Sequence, residues 1–126
     1  MKSMLLLAGV VMSLSGCQGW LLDYGDPDAQ FLQKDLVVAG RSFEGKHITV
    51  KGTVTKVDVG QQGNARVYLG DDIECNLGTF SAMAEGCRIG SVVYVDGFLK
   101  RCRAGNILLD PAILRDPNAP FKPENP

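Results

Sequence analysis

Apolar and polar residues alternate along the segment from His47 to Val59, and this pattern constrains the fold more than any other feature of the chain. Ile48, Val50 and Val54 occupy even positions, while threonine and lysine fill the odd positions between them. A period of two over this length predicts a strand with one buried and one solvated face. Gly52 interrupts the buried row, and a glycine inside a strand is typical of a bulge or a sharp bend. A small closed barrel needs such a bend.

Four further strands are predicted by the same alternation, with turns of Gly, Asn and Asp between them. They are Arg66–Leu69, Ile73–Leu77, Val92–Lys100 and Asn106–Leu114. A short helix is predicted over Thr79–Cys87. Another helix is predicted to begin at Asp26-Pro27-Asp28, to include Phe31 and Leu32, and to end near Gly40, because Asp caps free amides and Pro suits the first turn. The predicted fold is therefore mainly β: a small five-stranded OB-fold barrel with an N-terminal helix and a short helix between strands 3 and 4.

The first seventeen residues predict export and lipidation. Lys2 supplies a positive charge, and Met4 to Met12 is almost purely apolar but far shorter than the roughly 20 residues that span a bilayer. Leu14-Ser15-Gly16-Cys17 then resembles the lipobox of bacterial lipoproteins. That resemblance implies diacylglyceryl transfer to the Cys17 sulfur, cleavage before Cys17 and acylation of the new amino terminus. Several acyl chains hold a protein on a membrane essentially permanently.

The predicted organisation divides the chain into four parts. Residues 1–16 are the lipoprotein signal peptide, 17–25 a lipidated tether, 26–115 the barrel domain with its leading helix, and 116–126 a Pro-rich disordered tail. Gln18 follows the lipidated cysteine. In Gram-negative lipoproteins an Asp there would suggest retention in the inner membrane, so Gln18 favours the outer membrane, with the barrel facing the periplasm.

Several short stretches carry a resemblance to a known family. They are Gly45–Val54, Val67–Leu69, Glu74–Asn76, Ile89–Gly97 and Asn106–Asp110. With the helix before them, they resemble the bacterial OB-fold proteins classed as tRNA-anticodon-binding-like. The family name implies nucleic-acid binding by analogy of fold, but fold alone does not give function.

Three cysteines remain for an oxidising compartment after Cys17 is assigned to lipid. Cys75 points inward by the alternation, and Cys87 lies on the segment that covers the barrel mouth, so a Cys75–Cys87 disulfide is favoured. Cys102, placed on an exposed turn, is the alternative partner. His47 and three cysteines match the ligand count of a zinc site, but no Cys-x-x-Cys pair is present and no metal or other cofactor is predicted.

No motif for catalysis is found. His47 is interpreted as a solvated histidine at a strand end, and Asp71-Asp72 as part of a turn. The sequence has no Gly-x-Ser-x-Gly elbow and no phosphate-binding loop. The chain is therefore predicted not to be an enzyme. The alternative, a thiol-dependent or hydrolytic enzyme, needs Cys102 or His47 in a cleft with a perturbed pKa.

A candidate ligand face follows from the way OB-folds bind chains, on strands 2 and 3 and the loops beside them. Its predicted members are polar or aromatic residues that alternate outward or lie in those loops. They are Gln61, Gln62, Asn64, Arg66, Tyr68, Glu74, Asn76, Lys100, Arg101 and Arg103.

Two functions remain open for this face. The 13 basic and 14 acidic residues nearly cancel, whereas nucleic-acid-coating proteins usually carry a strong basic excess. The favoured hypothesis is a non-catalytic envelope lipoprotein that binds or assembles with an envelope protein or a cell-wall polymer. The alternative is a single-stranded nucleic-acid-binding domain, which the family resemblance and the Lys100–Arg103 cluster suggest but predicted export opposes.

Overall fold

A computed structural model describes residues 25–60 and 63–125 of the chain. The described part contains six strands, two α-helices and one 3-10 helix. They are β1 (Ala29–Leu32), α1 (Gln33–Ala39), the 3-10 helix (Gly40–Phe43), β2 (His47–Asp58), β3 (Ala65–Leu69), β4 (Ile73–Gly78), α2 (Ser81–Glu85), β5 (Val92–Arg103) and β6 (Asn106–Leu114).

Five of the strands close into a barrel. The sheet order is β1-β2-β3-β4-β6-β5, and β5 also pairs with β2, which closes the ring. Strands β4 and β6 run parallel, while the other pairs within the ring are antiparallel. With α2 between β4 and β5, this arrangement is the predicted mainly β, five-stranded OB-like barrel, and the fold class is confirmed.

Strand β2 is long because it serves three neighbours. Residues 47–53 pair with β5, 48–51 pair with β1, and the end of β2 pairs with β3. The bend comes slightly later than Gly52, at an irregular register between Val54 and Lys56. Gly52 instead permits a close approach, because a Cβ there would lie 2.7 Å from the Gln33 side-chain oxygen and 3.1 Å from Leu69.

The core fills the barrel with the inward residues of all five strands. It includes Ile48, Val50 and Val54 of β2, and these side chains are fully buried. Comparable positions on the other strands are Val67, Leu69, Ile73, Cys75, Leu77, Val95, Leu99, Ile107 and Leu109. The predicted inward residues Ile48, Val50 and Val54 of β2 and the inward rows of β3 and β4 are therefore buried.

The predicted N-terminal helix begins too early. Residues 29–32 form a strand parallel to β2, and the helix starts only at Gln33. Asp28, predicted to lie in the first helical turn, precedes β1 instead; its amide donates to the His47 carbonyl at 2.8 Å, and its carboxylate accepts from the His47 amide. Phe31 is buried and packs edge-to-face on Phe43 at 5.2 Å. Pairing with β2 and burial of Phe31 therefore outweigh the local capping signal.

Strand β5 runs three residues further than predicted, and this changes the interpretation of Cys102. Pairing with β6 continues as far as Arg103 and Asn106. Cys102 therefore lies within a strand and is buried, not on an exposed turn. Cys75, Cys87 and Cys102 are all free thiols in the structure, so the predicted Cys75–Cys87 disulfide is not shown.

His47 also differs from its prediction, because it is buried rather than solvated. Its Nε2 lies 4.0 Å from a carboxylate oxygen of Asp96, and its ring contacts Phe98 at 5.5 Å between centroids. The outward face of β2 is solvated only over its second half. Over its first half, neighbouring segments cover the outward residues as well.

The C-terminal segment, predicted to include a disordered tail over residues 116–126, contacts the barrel. Arg115 ion-pairs with the buried Asp96 at 2.7 Å. Phe121 packs edge-to-face on Tyr94 at 5.2 Å, and the amide of Glu124 donates to the Gln30 carbonyl at 2.6 Å. These long-range contacts could not be seen in the composition of the tail.

Some predictions fall outside the described residues. The signal peptide over residues 1–16, the Cys17 lipidation site, and Gln61 and Gln62 all lie there. Within residues 25–60 and 63–125, no helix combines the length and apolarity needed to cross a bilayer.

Candidate ligand face on β3 and β4

The outward side chains of β3 and β4 come together as the alternation predicts. Arg66 pairs in register with Asn76, and Tyr68 pairs with Glu74. All four are half-buried, whereas the inward residues between them are fully buried. The antiparallel pairing therefore produces a continuous polar patch, here called the β3–β4 face.

An ion pair crosses the β3–β4 face diagonally. Arg66 Nε lies 2.8 Å from Glu74 Oε2, and the two side chains are 34% and 31% exposed. Water screens a pair with this exposure, so it contributes little to stability. It does fix the Arg66 guanidinium against a carboxylate, which reduces the positive charge offered to a ligand.

Tyr68 supplies the aromatic surface of the face. Lys56 Nζ lies 5.2 Å from the ring centroid, within the range of a cation–π contact. Burial raises the pKa of the Tyr68 phenol, and the nearby Glu74 carboxylate raises it further. The phenol therefore stays protonated and can donate a hydrogen bond to a ligand at neutral pH.

The asparagines of the face have different roles. The side-chain oxygen of Asn76 accepts a hydrogen bond from the Gly78 amide at 2.9 Å, so it stabilises the end of β4. Asn64 is half-buried just before β3. Asn76 therefore has a structural role, and its side-chain NH2 group remains to contact a ligand.

The predicted cations near the β5–β6 turn have polar or charged partners within the protein. Arg101 Nε donates to the Asn106 side-chain oxygen at 2.9 Å, and Lys100 Nζ lies 4.0 Å from Asp110. Arg103 Nη1 lies 2.7 Å from Glu44 Oε2.

Glu44, which lies against the end of β5, is a charged residue that sequence reasoning missed. It accepts a hydrogen bond from the Cys102 amide at 2.7 Å as well as from Arg103. These contacts lower the pKa of the Glu44 carboxyl, mainly through the Cys102 amide and then through Arg103. No local motif marks Glu44, because its partners lie 58 and 59 positions away along the chain.

A cavity of about 140 Å³ connects the β3–β4 face with the β5–β6 turn. Its lining combines an aromatic ring, carboxylates and an amide. The lining residues are Tyr68, Asp71, Asp72, Ile73, Glu74, Gly105, Asn106 and Ile107. Asp71 and Asp72 lie in the turn after β3, where the sequence placed them, and the Asp72 carbonyl also accepts from the Ile107 amide at 2.9 Å.

Charge is mixed rather than purely basic along the β3–β4 face and the β5–β6 turn. Arg66, Lys100 and Arg103 each lie within 4.0 Å of a carboxylate. Arg101 contacts a neutral amide, and Lys56 lies over the Tyr68 ring. Three of the four predicted cations are therefore paired with carboxylates.

The thiols have surroundings unlike those of reactive cysteines. Burial raises the pKa of Cys75, Cys87 and Cys102. A nucleophilic cysteine needs the opposite shift. Over residues 25–60 and 63–125, no three His, Cys, Asp or Glu side chains converge in a way that could hold a metal ion.

Comparison with known proteins gives a likeness of fold. No protein-family model matches the sequence, and no curated protein matches it either. Among solved structures, a protein of Klebsiella pneumoniae subsp. pneumoniae provisionally named a nucleic acid-binding lipoprotein matches 66% of this chain and 81% of its own. The two are 18% identical, and the TM-score is 0.46. A likeness at this level carries no information about ligand or location.

Proposed function

We propose that the chain is a non-catalytic lipoprotein of the bacterial envelope whose barrel binds an envelope protein or a cell-wall polymer through the β3–β4 face. The observation that carries this proposal is the charge balance of the face. Arg66 lies against Glu74 and Lys56 lies over the Tyr68 ring, while at the end of β5 Arg103 pairs with Glu44 and Arg101 contacts the Asn106 amide.

The location in this proposal comes from the amino terminus. Leu14-Ser15-Gly16-Cys17, after a short apolar segment, has the form of a lipobox. Lipidation at Cys17 anchors the barrel to a membrane, and Gln18 favours the outer membrane with the barrel in the periplasm. This location favours envelope proteins and wall polymers as partners over the nucleic acid of the cytosol.

The charge balance favours a neutral or mixed-charge ligand. Binding of nucleic acid is driven by cations that replace the counterions of phosphates. Arg66 and Arg103 would have to leave carboxylates at 2.8 and 2.7 Å before contacting a phosphate. A peptide or a glycan can instead stack on Tyr68 and exchange hydrogen bonds with the paired side chains around it.

The proposal is tested by crosslinking and pull-down from membranes of cells that express the full-length chain. Wild type is expected to capture a reproducible protein or wall fragment, and Tyr68→Ala to reduce the yield at least fivefold. Arg88→Ala is the matched control, because Arg88 is exposed and lies outside the face; its yield should equal that of wild type. Recovery of the chain alone, or an equal yield from Tyr68→Ala, would contradict the proposal.

A nucleic-acid ligand is the second candidate, because Lys100, Arg101 and Arg103 lie close together at the end of β5. A titration with a labelled single-stranded oligonucleotide at low and moderate salt distinguishes the two. We expect no saturable binding at low salt. Binding that weakens steeply with salt and is lost in Arg103→Ala would favour nucleic acid.

The predicted envelope location is tested separately by mass spectrometry of the mature protein. The expected product begins at an acylated Cys17. A polypeptide that begins at Met1 with an unmodified Cys17 thiol would contradict the envelope location and leave the β3–β4 face to be tested as a cytosolic surface.

A further inference from the structure

The C-terminal segment contacts the edge strand β1 through three hydrogen bonds to Gln30, two to its side chain and one to its main chain. The side chain of Gln30, a buried residue of β1, contacts the main chain of the segment twice. Gln30 Oε1 accepts from the Lys122 amide at 2.7 Å, and Gln30 Nε2 donates to the Pro120 carbonyl at 3.4 Å. The Gln30 main-chain carbonyl accepts from the Glu124 amide at 2.6 Å.

These hydrogen bonds involve the main chain of the tail at alternate residues. The amides of Lys122 and Glu124 point towards β1, so the main-chain groups of the residue between them point away from β1. That residue is Pro123, which has no amide to leave unpaired. Proline at position 123 therefore leaves one fewer unpaired amide on the side of the segment that faces away from β1.

One side chain anchors the segment. The Phe121 ring meets the Tyr94 ring edge-to-face, with 5.2 Å between centroids. Lys51 Nζ lies 5.5 Å from the centroid of the same Tyr94 ring. Tyr94 of β5 therefore holds the Phe121 ring, with β2 between Tyr94 and β1. The pair Gln30 and Tyr94 defines what is here called the tail groove.

The segment does not fill the space around it. A cavity of about 510 Å³, open to solvent, remains between residues 26–30 and the tail, and Arg115 also lines it. Pro120 and residues 122–125 are exposed. The tail beyond residue 119 is thus held by a few hydrogen bonds and one ring contact, rather than by burial in the core.

We propose that the tail groove is a binding site for an extended peptide of the form Pro-aromatic-x-Pro in a partner protein, and that Pro120-Phe121-Lys122-Pro123 occupies it as a displaceable internal ligand. The Gln30 amide recognises the partner backbone, and Tyr94 recognises the aromatic side chain. The inference does not rest on the β3–β4 face, because the tail contacts described above lie on β1 and β5. The tail competes with the partner, since a tethered segment has an effective concentration of about millimolar.

The test weakens binding of the chain's own tail to the groove and adds the tail sequence as a separate peptide. The probe is a fluorescent peptide with the sequence of residues 117–125, and fluorescence anisotropy measures its Kd for the full-length chain. The Phe121→Ala chain is expected to bind the probe at least tenfold more tightly than wild type, because its own tail has lost its anchor. A probe in which alanine replaces the phenylalanine should bind this chain at least tenfold more weakly.

Two further variants keep the test decisive. A chain that ends at Asn118 retains the Arg115–Asp96 pair and removes the competing segment, and it should bind the probe as Phe121→Ala does. Gln30→Ala combined with Phe121→Ala should lose binding while thermal unfolding remains cooperative. Equal affinity of wild type and Phe121→Ala for the probe, or no binding to a folded chain ending at Asn118, would overturn the proposal.

Discussion

Two ion pairs of almost equal length lie in different surroundings. Asp96 and Arg115 are 2.7 Å apart, with side chains 0% and 13% exposed. Glu74 and Arg66 are 2.8 Å apart, with side chains 31% and 34% exposed. Distance therefore does not separate their roles, but burial does. The first pair fixes the start of the tail to the barrel, whereas the second is screened by water and can be exchanged for contacts with a ligand.

The largest effect is expected from Asp96→Ala. This change leaves the Arg115 guanidinium largely buried without its carboxylate and removes the acceptor of the Thr49 hydroxyl. Breaking a buried pair on one side costs about 3–5 kcal/mol. Urea unfolding of the two proteins measures the loss; a loss below about 1 kcal/mol would mean that water reaches this site and would abolish the contrast between the pairs.

A smaller effect is expected from Thr49→Val. The Thr49 hydroxyl donates to Asp96 at 2.5 Å, and both residues are fully buried. A hydrogen bond to a charged group contributes about 1.5–3 kcal/mol, and Arg115 still pairs with Asp96 in this variant. Thr55→Val is the matched control: its hydroxyl also donates, to the Gly70 carbonyl at 2.6 Å, but at an exposed site. Equal losses of unfolding free energy in the two variants would show that burial does not increase the contribution of the hydrogen bond to stability.

Glu74→Ala is expected to change the free energy of unfolding by less than about 1 kcal/mol, because water screens its pair with Arg66. The same variant should change capture of the envelope partner, since it frees Arg66 and alters the β3–β4 face. Urea unfolding and membrane pull-down measure the two effects. A stability loss as large as that of Asp96→Ala would indicate a structural rather than a ligand-binding role for this pair.

The smallest effect is a pH dependence at Glu44. The Cys102 amide and Arg103 lower the pKa of the Glu44 carboxyl below its ordinary value of 4.5. Its contribution to stability is therefore present above about pH 4.5 and is lost as pH falls through the lower folded pKa. The difference in unfolding free energy between wild type and Glu44→Gln should shrink over that acidic range. A difference that stays constant down to pH 3 would contradict the assigned shift.

The barrel could be predicted because its strands are specified locally. Inward rows such as Val67 and Leu69 reveal the strands through a period of two, and the order of strands and helix indicates the closure. Residues 29–32 could not be assigned in this way. Their strand exists only because β2 provides a partner, and the capping signal of Asp26 and Asp28 pointed to a helix instead.

The candidate face could be predicted only in part. Alternation placed Arg66, Tyr68, Glu74 and Asn76 on one surface. The neutralising partners could not be predicted, because Glu44 reaches Arg103 from 59 positions away. The tail shows the same limit: its proline spacing is visible in the sequence, but its contact with Gln30 spans about 90 positions.

Site-specific photocrosslinking in living cells tests the central claim that the β3–β4 face binds an envelope partner. A photoreactive amino acid replaces Tyr68 in one full-length chain and Lys34, an exposed residue of α1, in another. We predict an adduct at position 68 that protease or a wall-degrading enzyme removes and nuclease leaves intact, with none at position 34. An adduct at position 68 that nuclease removes, or equal adducts at both positions, would contradict the account.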